Sequence, residues 1–139
     1  MAQNTSAQST SAHSTRVLRL RIKDKHGPWL AERAREVNTV WNYCNELALK
    51  VFERERRFLS GFDFWPYLKG ATRGDCALGL PVQSVQEVAE QYAARRAARR
   101  AARRAARRRQ QRKVRLAWRK SGGSRRSLGW IPFKVRTLR

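Results

Sequence analysis

The chain has 139 residues, with 32 Lys or Arg against 10 Asp or Glu and a formal net charge of +22. That length allows one domain or part of one, and 41% apolar residues with five tryptophans suffice for a small core, which disfavours a wholly disordered chain. No run of about eighteen apolar residues exists, and residues 1–15 carry neither a basic start nor an apolar stretch, so membrane spanning and secretion are disfavoured. A cytoplasmic location is expected, with nucleoid association as an option. Cys44 and Cys76 form no C-x-x-C pair and read as ordinary thiols.

The charge is unevenly placed. Residues 1–90 hold 13 basic and 10 acidic side chains, whereas residues 91–139 hold 19 basic and none acidic. A segment of such density repels itself unless a polyanion is at hand, and nucleic acid is the first candidate. Arginine outnumbers lysine 25 to 7, which suits bidentate phosphate contacts and stacking on bases.

In chain order, residues 1–15 are Ser/Thr/Gln/Ala-rich and read as a flexible leader. Val17 to Lys23 then alternates, Leu18, Leu20 and Ile22 against Arg19, Arg21 and Lys23, as expected of a half-buried strand with a basic outer face. That face either touches phosphates or is simply solvated. After His26-Gly27-Pro28 a long helix is expected, because Leu30, Ala34, Val37, Trp41, Cys44, Ala48 and Val51 recur at helical steps, broadened by Val40, Leu47 and Phe52. It should end at Leu59-Ser60-Gly61, followed by a connection to Leu80 with a short helix near Phe64 to Lys69.

Helix resumes at Leu80-Pro81 with a narrower stripe of Val82, Val85, Val88, Ala89 and Tyr92. Four Ala-Ala-Arg-Arg units then fill residues 93–108. A four-residue repeat advances about 40° per unit, so the arginine pairs spiral around the helix and leave no clean apolar face. Helix propensity favours the stretch while i,i+4 arginine repulsion opposes it, so a helix of up to about thirty residues is expected whose second half frays at low salt without a polyanion. A codon-level expansion in a tolerant helix is an alternative origin for the repeat. Beyond Lys113 the period changes to two. Val114, Leu116 and Trp118 alternate with Arg115 and Arg119, Ser121-Gly122-Gly123-Ser124 offers a turn, and Ile131, Phe133 and Val135 follow, so a hairpin is expected with Pro132 at an edge or bulge. Trp118 and Trp130 suit either core packing or base stacking beside Arg119, Lys120, Arg125, Arg126 and Lys134.

Enzyme chemistry is lacking in the pattern. Metal-assisted phosphodiester cleavage needs clustered carboxylates, yet nothing acidic follows Glu90, and Asp24, Asp63 and Asp75 suit surface or capping roles. His13 and His26 have no partner set for a nucleophile relay, no phosphate-binding G-x-x-x-x-G-K-[ST] loop occurs, and the spacing of Cys44, Cys76 and His26 gives no support to a zinc site. No catalytic residue, metal or cofactor is expected.

The order of the motifs resembles the N-terminal part of the TnpB (OrfB) proteins of insertion sequences, catalogued as transposases and related to compact RNA-guided CRISPR nucleases. The likeness covers most of residues 16–139. It rests on the strand at Val17 to Lys23, Val40-Trp41-Asn42, Leu80-Pro81-Val82-Gln83-Ser84-Val85-Gln86, and Pro132-Phe133-Lys134, the Leu-Pro-x-Gln-x-x-Gln run being its most specific piece. The resemblance implies an α+β fold, a partial wedge-like barrel of small basic strands with an inserted lobe of two long helices. Residues 16–23 would be the first barrel strand, 24–113 the helical lobe with its Arg-rich second helix, and 114–139 a basic hairpin returning to an incomplete barrel. The implied partners are guide-like RNA and DNA, with sequence read by base pairing and backbone read by protein. The family's nuclease acids lie in a downstream RuvC-like domain, so this chain reads as truncated before it, without cleavage of its own.

The expected nucleic-acid contacts are Arg19, Arg21, Lys23, Arg95, Arg96, Arg99, Arg100, Arg103, Arg104, Arg107, Arg108, Arg109, Arg112, Lys113, Arg119, Lys120, Arg125, Arg126 and Lys134. The competing readings are a basic RNA-packing protein and a helix that binds anionic membranes, the latter weakened because alanines supply little insertion energy.

Overall fold

The computed structural model describes residues 17–75, 77–105 and 115–133. The leader at 1–15 and the end of the arginine repeat past Ala105 lie outside the described residues, as do the segments 106–114 and 134–139.

Helix α1 spans Gly27–Glu55, preceded by a 3-10 turn at Asp24–His26. Pro28 sits in its first turn, where a missing N–H leaves no hydrogen bond unmade. From Val37 onward its apolar stripe is buried as the spacing predicts, with Val37, Val40, Trp41, Cys44, Ala48, Val51 and Phe52 enclosed, while Leu30, Ala34 and Leu47 are half-buried. The helix stops four residues before Leu59. Arg56 takes the left-handed conformation at φ 55°, and its N–H donates to the Phe52 carbonyl at 3.0 Å. The turn brings Phe58 back onto Phe52, with ring centroids 4.9 Å apart.

From Phe58 the chain returns towards the start of α1 through a 3-10 turn at Phe62–Phe64 and a short helix α2, Trp65–Leu68. Ser60 and Asp63 cap this turn reciprocally. The Ser60 N–H donates to Asp63 Oδ2 at 2.8 Å, and the Asp63 N–H donates to Ser60 Oγ at 3.4 Å. A Cβ on Gly61 would stand 2.9 Å from Glu90 Cγ, so glycine is what lets this segment lie against the next helix.

That helix, α3, spans Val82–Ala105 and starts where Leu80-Pro81 suggested. The Gly79 and Leu80 N–H groups donate to the Glu36 carboxylate at 2.9 and 3.1 Å, which ties the start of α3 to α1. Along the pair, Glu36 meets Leu80, Asn45 meets Tyr92 and Ala48 meets Arg96, so α1 and α3 run parallel with the return segment between their ends. The core lies on this seam. Its centre is a run of aromatic rings set edge to face: Phe64 to Tyr92 at 5.6 Å, Tyr92 to Trp41 at 5.2 Å and Trp41 to Trp130 at 6.3 Å.

The expected α+β class is corrected by this architecture: the described residues are helical, with no strand, sheet or barrel among them. Residues 17–23 form no regular element and pair with no strand among the described residues, and Val17, Leu18, Leu20 and Ile22 are all exposed. Alternation makes a half-buried strand only where a neighbouring edge accepts its backbone, and no described segment offers one here. The expected hairpin is likewise absent. Residues 115–133 do reverse direction, the Ser127 N–H donating to the Lys120 carbonyl at 2.8 Å, but no ladder forms. Its backbone groups are taken instead by side chains of α1.

Candidate nucleic-acid interface

Three asparagines on one stripe of α1, Asn38, Asn42 and Asn45, bind the 115–121 segment. Asn45 Nδ2 donates to the Leu116 carbonyl at 2.8 Å. Asn42 takes both polar groups of one residue, donating to the Arg119 carbonyl at 2.9 Å and accepting its N–H at 2.8 Å. Asn38 Nδ2 donates to Ser121 Oγ at 3.0 Å. A helix thus does for this segment what a neighbouring strand would have done.

The fixed points at 116 and 119 are three residues apart, so the two-residue alternation read from the sequence does not hold. Leu116 and Arg119 face α1, whereas Trp118 points outward and is 44% exposed. Arg119 becomes a bolt. Its Nε donates to Asn38 Oδ1 at 2.7 Å, its Nη2 donates to the Leu128 carbonyl, and its guanidinium lies 5.8 Å from the Trp41 ring and 5.7 Å from that of Trp130. Burial, and then the nearby Arg95 charge, hold its pKa below the usual arginine value.

The repeat of α3 sorts into two rows. Arg96, only 4% exposed, donates to the Ala48 carbonyl at 3.4 Å and lies 5.1 Å from the Phe58 ring, where Arg100 stacks at 4.1 Å. Burial depresses the Arg96 pKa. These two wall a cleft of about 610 Å³ with Phe58, Gly61, Glu90 and Ala97. The other row turns towards the 115–119 segment: Arg95 lies 5.9 Å from the Trp41 ring, and Arg99 Nη1 donates to the Arg115 carbonyl at 3.0 Å. Arg115 in turn lies 6.0 Å from the Trp118 ring.

Of the expected contacts, Arg95, Arg99, Arg103 and Arg104 are exposed along α3, Arg100 is half-buried, and Lys120, Arg125 and Arg126 are exposed at the turn. Arg96 and Arg119 are committed to packing. Arg19, Arg21 and Lys23 are exposed on the segment leading into α1, with Arg21 3.6 Å from Asp24. Arg107, Arg108, Arg109, Arg112, Lys113 and Lys134 lie outside the described residues. The sequence reading missed Arg115 and the asparagine stripe. Polar amides at 38, 42 and 45, flanking the apolar positions 37, 41, 44 and 48, were the available signal.

Cys44 is buried in the core, and desolvation pushes its thiol pKa up to about 12, which makes it a packing residue with negligible thiolate at neutral pH. Among the described residues no three His, Cys, Asp or Glu side chains gather as a metal site would require, and no helix is long and apolar enough to cross a membrane. Comparison with protein families, curated proteins and solved structures gives no match.

Proposed function

We propose that the chain is a nucleic-acid-binding protein that grips phosphate with the exposed arginines of α3 and of the segment following it, and that it carries no catalytic chemistry of its own. Within this reading, the resemblance to TnpB-like proteins assigns the partners as guide-like RNA and DNA, and the setting as cytoplasmic.

One observation carries the reading. Near α1 four basic side chains have carboxylate partners, Arg33 with Glu36 at 3.4 Å, Arg35 with Glu32 at 3.3 Å, Lys50 with Glu46 at 2.7 Å and Arg57 with Glu55 at 3.0 Å. Along α1 to Arg57, only Arg54 and Arg56 make no ion pair among the described residues. Arg95, Arg99, Arg100, Arg104, Arg115, Arg119, Arg125 and Arg126 make no ion pair among the described residues. Charge left without internal counterions in this density calls for an external polyanion, and arginine recruits phosphate in bidentate fashion.

Binding of the full chain to structured RNA, duplex DNA and anionic vesicles over a salt series tests it. Each neutralised phosphate contributes about 0.7–0.9 to the slope of log affinity against log salt, so engagement of five or more arginines gives a slope steeper than about −3. Absence of binding to RNA and DNA in dilute buffer overturns the proposal, as does vesicle binding that survives high salt and outlasts nucleic-acid binding.

A further inference from the structure

Resting on that reading, we propose that the face shared by α3 and residues 115–119 is a single-strand site, in which Arg95, Arg99 and Arg115 hold successive phosphates and Trp118 stacks on a base. That face is defined by contacts already described. Arg99 reaches the Arg115 carbonyl at 3.0 Å, so the two guanidinium-bearing segments touch. Arg95 and Arg119 share the Trp41 ring at 5.9 and 5.8 Å, which brings like charges together over one indole. None of these four arginines has a carboxylate partner among the described residues. Cation–π contacts and carbonyl bonds hold the cluster in place without cancelling its charge.

Trp118 decides between single strand and duplex. Trp41 is buried and Trp130 half-buried, yet Trp118 is 44% exposed because the asparagine contacts at 116 and 119 rotate it outward. Arg115 stands 6.0 Å from its ring. An exposed indole beside unpaired guanidinium groups matches a stacked base beside its own phosphate. A duplex hides its base faces and would gain nothing from the ring. Asn42 and Asn45 hold this segment through the Leu116 and Arg119 backbone without using the Trp118 ring, so Trp118 can be changed while those bonds remain.

The test compares a labelled twelve-nucleotide oligo(U) and oligo(dT) with a twelve-base-pair duplex by fluorescence anisotropy, using the full chain. Trp118→Ala weakens binding to the single strands about 10-fold and leaves duplex binding unchanged, with the salt slope preserved, because stacking releases no counterion. Trp118→Phe retains most of the affinity. Arg99→Gln and Arg115→Gln each flatten the single-strand salt slope by about 0.7, one phosphate's share for a single strand. An unchanged thermal midpoint confirms that Trp118→Ala is folded. Equal loss on both substrates, no loss on either, or tighter duplex than single-strand binding by the wild type overturns the single-strand site while leaving nucleic-acid binding intact. Failure to bind any oligonucleotide in dilute buffer removes the broader reading instead.

Discussion

Arginines near α1 and arginines on α3 with its following segment solve the same electrostatic problem differently. Around α1, Arg33, Arg35 and Arg57 each meet a carboxylate one turn away or across a short loop, mostly in exposed pairs that contribute little to stability, while Arg56 lies over the Phe52 ring. On α3 and beyond, guanidinium groups meet aromatic rings and backbone carbonyls, as Arg100 does at Phe58, and Arg119 does between Trp41 and Trp130. A ring face and a carbonyl oxygen fix the position of a cation but leave its charge uncancelled. The second region therefore stays folded while still presenting positive potential.

The sharpest way to break this contrast is to remove the ring system that both regions share. Tyr92 is fully buried between Trp41 and Phe64, and its hydroxyl donates to Asn45 Oδ1 at 3.0 Å. Tyr92→Ala should destabilise by about 3–5 kcal/mol in urea unfolding, as large-to-small changes of core aromatics do. Tyr92→Phe keeps the packing and loses the hydroxyl donor, for about 1–2 kcal/mol.

Arg119 separates packing from charge within the basic region. Arg119→Ala removes bonds to Asn38 and the Leu128 carbonyl and should destabilise by about 2–3 kcal/mol. Arg119→Lys should recover little, since an ammonium cannot serve two divergent acceptors from between two indoles. Arg125→Ala, at the exposed turn, should stay within about 0.5 kcal/mol. In oligonucleotide binding the order reverses for any Arg119 variant that remains folded, because Arg125 is exposed while the half-buried Arg119 is held by Asn38 and the Leu128 carbonyl.

A smaller effect is expected at Asn42, which holds both backbone groups of Arg119. Asn42→Ala should cost about 1–2 kcal/mol, and hydrogen exchange at the Arg119 amide should accelerate ahead of exchange in α1. Equal acceleration in both places would mean that residues 115–121 and α1 open as one unit.

These positions also show what could be read from residue order. The two long helices, most of their apolar stripes and the restart at Leu80-Pro81 were legible because helical periodicity reports a buried face, although Val82, read as part of the α3 stripe, is 54% exposed. The strands were not, because alternation reports only a backbone able to extend. Val17 to Ile22 has the pattern without a neighbouring strand among the described residues, and residues 115–119 find theirs in asparagine side chains. The candidate interface was legible as charge but not as roles. A count of basic residues treats Arg96 and Arg104 alike, although one is 4% exposed beneath Phe58 and the other lies on open helix surface.

The smallest expected effect probes the acid-paired region through pH. The Ser60 N–H, then the Ser60 hydroxyl, hold the Asp63 carboxyl pKa below its ordinary value, with Arg57 3.9 Å away adding to the shift. A carboxyl with a depressed folded-state pKa stabilises the fold above its unfolded value, and that contribution is lost as pH falls through the folded value. Wild type should therefore melt slightly higher than Asp63→Asn at pH 7, and the difference should begin to shrink as pH falls to about 3.9, the unperturbed aspartate value, and vanish once pH has passed below the lower folded-state value. Tyr92→Phe, whose lost bond involves no group that titrates in this window, should show a constant offset over the same range. A pH-independent offset for Asp63→Asn would mean that the Ser60 cap works through shape alone, with the carboxylate charge contributing nothing.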